Sequence, residues 1–147
     1  LVETGAQIPR LYQSIYENRS FSATKLLGLA LASTRSALEG NVTYAVLTRR
    51  DFVEAGALQN ETDGIVNHLL SIRGTSVALL FREAPDGGIR VSLRSRGASD
   101  VNRVAKAFGG GGHQQASGCT VAGPLDSAVA QVLAEVGKQA ECWQSCA

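Results

Sequence analysis

The chain has 147 residues, 44% of them apolar and 18% charged, with a formal net charge of +1. That length suits one domain able to bury roughly 70% of its unfolded surface, and that composition excludes an intrinsically disordered chain. The near-neutral balance argues against a polyanion-coating protein of the histone kind, and the longest apolar runs, such as Val77-Ala78-Leu79-Leu80-Phe81, are far short of the ~20 residues of a bilayer span.

Ile8, Leu11, Tyr12 and Ile15 recur at helical spacing, and Leu26, Leu27, Leu29, Ala30 and Leu31 do so again behind Ser20-Phe21-Ser22, whose serines can cap a helix. Gly40-Asn41 breaks that pattern, and the β-branched and aromatic run Val42 to Leu47 suits a buried strand. A short helix is expected over Asp51 to Ala57. A third substantial helix follows from Asp63, with Ile65, Leu69 and Ile72 stacked on one face. Ser76 to Glu83 and Ile89 to Arg96 form a hairpin across Ala84-Pro85-Asp86-Gly87-Gly88. Asp100 opens a short helix through Phe108 that Gly109 to Gly112 stops. A strand over Ser117 to Val121 and a helix with Leu125, Val129, Val132, Leu133 and Val136 on its apolar face complete the chain, leaving 141–147 as a tail. The expected fold is α/β (α+β): a small mixed β-sheet flanked by helices and preceded by a helical linker.

The chain starts at Leu1, contains no Met and lacks a basic-then-apolar leader, so no secretory signal is expected. Cys119 lies far in sequence from Cys142 and Cys146, which leaves neither a disulfide framework nor a paired zinc signature and points to a reducing, cytoplasmic setting.

Charge is unevenly placed. From Arg73 to His113 there are seven basic residues (Arg73, Arg82, Arg90, Arg94, Arg96, Arg103, Lys106) against three acidic ones (Glu83, Asp86, Asp100), so an anion site is expected there. Arg94 and Arg96 alternate with Leu93 and Ser95, which puts both guanidinium forks on one strand face, suited to phosphate or simply solvated. The run Gly109 to Gly112 can wrap an anion with its backbone N–H groups or act as a hinge. It is neither a Walker loop nor a dinucleotide fingerprint. His113, directly behind it, can donate to a phosphate, lie against a base or be satisfied locally. Asn67, one turn after Asp63, can reach a ligand or cap locally. His68 reads as a packing or surface residue.

Asp63-Gly64-Ile65-Val66-Asn67, Val91-Ser92-Leu93-Arg94-Ser95-Arg96 and Gly110-Gly111-Gly112-His113-x-x-Ala116-x-Gly118 stand in an order and spacing that resemble the C-terminal, DHH-associated domain of DHH-family phosphoesterases. Within that family the resemblance is to the bacterial oligoribonuclease (nanoRNase) and 3'-phosphoadenosine 5'-phosphate phosphatase group. It implies that residues 1–40 are a helical linker and the end of a catalytic DHH domain, and that 41–140 form the substrate-binding domain. It further implies that Arg94 and Arg96 bind phosphate, Gly110, Gly111 and Gly112 give backbone contacts, and His113 meets phosphate or base, with Asn67 a weaker contact. Catalysis, with Mn2+, is implied for an N-terminal DHH domain in cis, because this chain has none of the His-x-Asp, Asp-x-Asp and Asp-His-His motifs. No catalytic residue and no metal or cofactor are expected on this chain. The implied partners are short RNA or a phosphorylated nucleotide, with a second copy of the chain as a further candidate, but no membrane. The competing reading is a stand-alone nucleic-acid-binding or oligomerisation module without a catalytic partner.

Overall fold

A computed structural model describes residues 18–145 together with Arg10. The helix expected around Ile8 to Ile15 lies outside the described residues. From Ser20 onward the chain builds a six-stranded sheet with helices on both faces.

Helix α1 (Phe21–Ala32) starts where the serines predict it: the Ser20 hydroxyl accepts from Ala23 N–H at 3.0 Å, satisfying one of the orphan donors of the first turn. Strand β1 (Arg35–Ala37), not foreseen from the sequence, pairs antiparallel with β2 (Val42–Leu47). A capping box of Thr48 and Asp51 then opens α2 (Arg49–Ala55). Helix α3 (Ile65–Leu70) is only six residues long, shorter than the expected third helix. Ser71 already closes it, so Ile72 lies beyond it and is exposed.

Helices α2 and α3 lie in the crossover between β2 and β3 (Val77–Glu83), which run parallel and need such a connection. The expected hairpin follows: β3 pairs antiparallel with β4 (Ile89–Ser95) from Val77↔Ser95 to Glu83↔Ile89. Asp100 caps α4 (Val101–Ala107), accepting from the Asn102 and Arg103 N–H groups. The glycine run does not remain a loop; Gly111–His113 forms β5, an edge strand paired antiparallel with β6 (Ala116–Val121). Helix α5 (Leu125–Ser145) continues through most of the segment read as a tail. The strand order is β1-β2-β3-β4-β6-β5.

Two cores decide what this sheet can present. On one face Val42, Tyr44, Leu79, Phe81, Val91, Leu93, Cys119 and Val121 are buried beneath α4 and α5. On the other, Leu26 and Ala30 of α1, Phe52 of α2 and Ile65, Val66 and Leu69 of α3 pack on Ala45, Leu47, Ala78 and Leu80. Each fully buried large aliphatic or Phe side chain contributes about 1.5–3 kcal/mol relative to leaving it exposed. The strand residues of this second core come from β2 and β3 only. The same face of β4, β6 and β5 adds no residue to this core, and of these three strands only β4 is also approached by α3.

Candidate functional site

Strand alternation writes this face of β4, β6 and β5. On β4 the inward residues Ile89, Val91, Leu93 and Ser95 are buried, which turns Arg90, Ser92 and Arg94 to the other side. Residues directly opposite across antiparallel strands share a face, and the registers then define three rows. Arg94 pairs with Ala116, which pairs with His113. Ser92 pairs with Gly118, which pairs with Gly111. Arg82 pairs with Arg90, which pairs with Thr120. The middle row carries almost no side chain, so it forms a low floor between Arg94 and His113 at one end and Arg82, Arg90 and Thr120 at the other. Arg82, Arg90, Ser92, Gly110, Gly118 and Thr120 also line a shallow cleft of about 460 Å³.

His113 is placed by its neighbours' backbone. The Gln114–Gln115 turn behind it is pinned by Val101 N–H donating to the Gln114 carbonyl at 2.9 Å and Ser95 N–H donating to the Gln115 carbonyl at 3.1 Å. The Ser117 hydroxyl donates to the His113 carbonyl at 2.7 Å. The main chain is held while the residue itself is exposed. Arg94 is half-buried; its Nη1 donates to the Leu93 carbonyl at 3.1 Å, and among the described residues no carboxylate forms an ion pair with it.

Arg96 departs from the pairing expected with Arg94. Strand β4 ends at Ser95, and the Arg96 guanidinium donates to the Leu70 carbonyl at the end of α3. An arginine there completes the last helical turn, where orphan carbonyls and the negative end of the helix dipole favour a cation. The arginine that shares a face with Arg94 within the strand is Arg90, beyond Ser92. Asn67 and His68 are exposed on α3, opposite the buried Ile65, Val66 and Leu69, and no side-chain hydrogen bond ties either to the arginine rows.

The glycine run divides by cause. A Cβ at Gly110 would stand 2.3 Å from the Gly118 carbonyl oxygen and 2.6 Å from the Cβ of Cys119, and one at Gly112 would stand 2.5 Å from the Ala116 carbonyl oxygen. Close approach of β6 therefore requires both to be glycine. A Cβ at Gly111 meets nothing within 4 Å. Of the three glycines assigned to backbone contact, Gly111 is the one whose bareness serves no internal contact.

Arg82 and Arg90 were not singled out in the sequence, although the hairpin connection alone places them opposite each other. The Arg82 Nη1 donates to Thr62 Oγ1 at 2.7 Å and Nη2 to Ser92 Oγ at 3.2 Å. Burial, reinforced by the nearby Arg90 charge and opposed by Asp63, pulls the Arg82 guanidinium below its ordinary range. Cys119 offers no nucleophile: it faces the α4–α5 core, and burial pushes its thiol up to about 11. Among the described residues no group of three or more His, Cys, Asp or Glu side chains could hold a metal ion, and no helix is long and apolar enough to cross a membrane.

The DHHA1 domain model matches residues 39–141. The chain is 32% identical over 116 residues to the bifunctional oligoribonuclease and PAP phosphatase NrnA of Thermus thermophilus, an alignment covering 78% of this chain and 34% of that protein. It is 31% identical over 112 residues to the protein of the same name from Bacillus subtilis, covering 76% and 34%. The chain thus spans about a third of the length of the curated relatives it matches. Among solved structures, an exopolyphosphatase-related protein from Bacteroides fragilis superposes with a TM-score of 0.88 at 28% identity, over 97% of this chain and 42% of that one. The pGpG-specific phosphodiesterase PggH of Vibrio cholerae shares the fold, with a TM-score of 0.60 at 15% identity over 92% of this chain and 46% of that one.

Proposed function

The chain belongs to the DHHA1 domain family, and on that premise we propose that it is the substrate-binding part of a phosphoesterase acting on short oligoribonucleotides or 3'-phosphoadenosine 5'-phosphate. The observation that carries the reading is the row of Arg94, Ala116 and His113 beside the bare floor of Ser92, Gly118 and Gly111. A planar guanidinium without an acidic partner suits a phosphate oxygen. An exposed imidazole two strands away, about 10 Å across the sheet, can donate to a second oxygen or lie against a base. The small middle row lets the ligand approach the sheet, with Gly111 the closest open backbone. Arg96 and Asn67 are secondary contacts in this reading, since Arg96 is committed to the Leu70 carbonyl.

The bond-breaking chemistry belongs to a DHH domain in cis, where Mn2+ would activate the attacking water. Among the described residues of this chain no group of three or more His, Cys, Asp or Glu side chains could hold a metal ion. The chain's own task is to bind and orient the substrate. The names of the full-length relatives, an oligoribonuclease and PAP phosphatase, support the substrate class. A reducing, cytoplasmic setting is part of the same reading, in keeping with the free, buried thiol of Cys119.

Charge-assisted hydrogen bonds contribute about 1.5–3 kcal/mol each, a stacked base about 1–3, and association costs at least ~4. The chain alone should therefore bind a 5'-phosphorylated diadenylate only in about the high micromolar to millimolar range. An NMR titration tests this: amide shifts are expected at Arg94 and from Gly111 to His113, lost in Arg94→Ala and His113→Ala. Turnover by the chain alone in Mn2+ that a chelator abolishes, or no shifts at millimolar ligand, would overturn the reading. The second result would bring an oligomerisation role forward.

A further inference from the structure

The row of Arg94 and His113 leaves the other end of the same face without an assigned role. Arg82 and Arg90 stand directly opposite each other on β3 and β4, and like charges so placed destabilise a sheet. Neither is well neutralised. Arg82 donates to the uncharged hydroxyls of Thr62 and Ser92, its Nε–H is buried without a partner, and Asp63 acts on it without forming an ion pair. Arg90 has a single 3.8 Å contact with the largely exposed Asp86. Beside the pair, Gly110 and Gly118 form a bare wall and Thr120 is exposed along the same row. A cation held by neutral acceptors, with a buried unsatisfied N–H, on the wall of a cleft with a second cation across from it, is an arrangement completed by a multiply charged oxyanion.

We propose that Arg82 and Arg90 form a phosphomonoester site, which receives the terminal phosphate of a short nucleotide while Arg94 and His113 hold the neighbouring part of the ligand. This inference rests on the substrate-binding reading above and adds which end of the substrate is recognised. A terminal phosphate carries about −1.5 to −2 charges at neutral pH, matching two guanidinium groups. An internal diester carries a single charge and matches only one. The two stations are four residues apart along β4, about 14 Å, so one ligand reaching both must be longer than a single phosphate. The face therefore selects short chains with phosphorylated ends over internal segments of long ones.

The test compares 5'-phosphorylated with unphosphorylated diadenylate on the 147-residue chain, following backbone amides and arginine Nε–H resonances by NMR. The phosphorylated ligand is expected to shift the Arg82 Nε–H and the Gly110 and Thr120 amides together with the Arg94 and His113 region. The unphosphorylated ligand should shift the latter alone and bind about tenfold more weakly, the worth of one charge-assisted bond. In Arg90→Gln the phosphorylated ligand should fall to the affinity of the unphosphorylated one. Arg90 is exposed, so this variant avoids the folding risk of replacing half-buried Arg82. Equal affinities with an unmoved Arg82 Nε–H, while Arg94 and His113 respond, overturn the monoester site and leave the substrate reading standing. No response to either ligand anywhere overturns both.

Discussion

His113 and Arg94 flank the methyl group of Ala116 on one face of the sheet, because β6 pairs with β4 on one side and with β5 on the other at the same residue. The relationship joins an edge strand to a strand two positions further in. Both side chains lack a carboxylate partner among the described residues.

Since Arg94 is half-buried and His113 exposed, their removal should separate binding from folding. Arg94→Ala and His113→Ala are each expected to weaken diadenylate binding by about tenfold or more, the loss of one charge-assisted contact, while unfolding free energies stay within about 0.5 kcal/mol of the parent. Ligand titration beside urea unfolding checks this; a parallel fall in stability would mean that the side chains serve the fold.

The glycines should divide in the same experiment. Gly110→Ala drives a methyl into the β6 backbone at Gly118 and Cys119, and a loss of about 1–3 kcal/mol or more is expected from overpacking against main chain that cannot step aside. Gly111→Ala meets nothing, so stability should hold while ligand affinity falls because the added methyl stands over the binding floor. Equal destabilisation by both would contradict the division of the run.

Leu26 of α1 is fully buried against the sheet. Leu26→Ala should therefore cost about 2–5 kcal/mol in denaturant unfolding of the chain. A change under about 1 kcal/mol would mean that α1 joins the sheet only loosely, as a linker does.

Cys119 supplies a pH prediction. Its thiol is raised from an ordinary 9.0 to about 11 by burial, so the unfolded state loses this proton first as pH rises. The contribution to stability is fully present below the ordinary value and is lost as pH rises through the folded one. At pH 8 the two-unit rise should leave the native thiolate about a hundredfold scarcer than in an unperturbed thiol. Alkylation of the Cys119 peptide, read by mass spectrometry, should be slow in buffer and fast in denaturant. Equal rates would refute burial as the cause.

Much of this protein is local and was legible in the chain. The run Val42 to Leu47, the hairpin across Pro85 and Gly87, the caps at Ser20 and Asp100 and the apolar face of α5 all follow from periodicity and turn chemistry within a few residues. The same alternation on β4 turned Arg94 away from the core, and the motif around Gly110 and His113 carried the family resemblance. Other features depended on partners distant in sequence. That Gly111 to His113 would become a strand depended on β6 lying close enough to exclude every Cβ at Gly110 and Gly112. That Arg96 would be taken by Leu70 depended on where α3 ends. That Arg82, Arg90, Arg94 and His113 would share one face depended on the register of four strands and on the second core drawing its strand residues from β2 and β3 only. Periodicity sets which way a side chain points from its own strand; which side chains then meet is set by pairing and packing across the sheet, and no single segment contains that information.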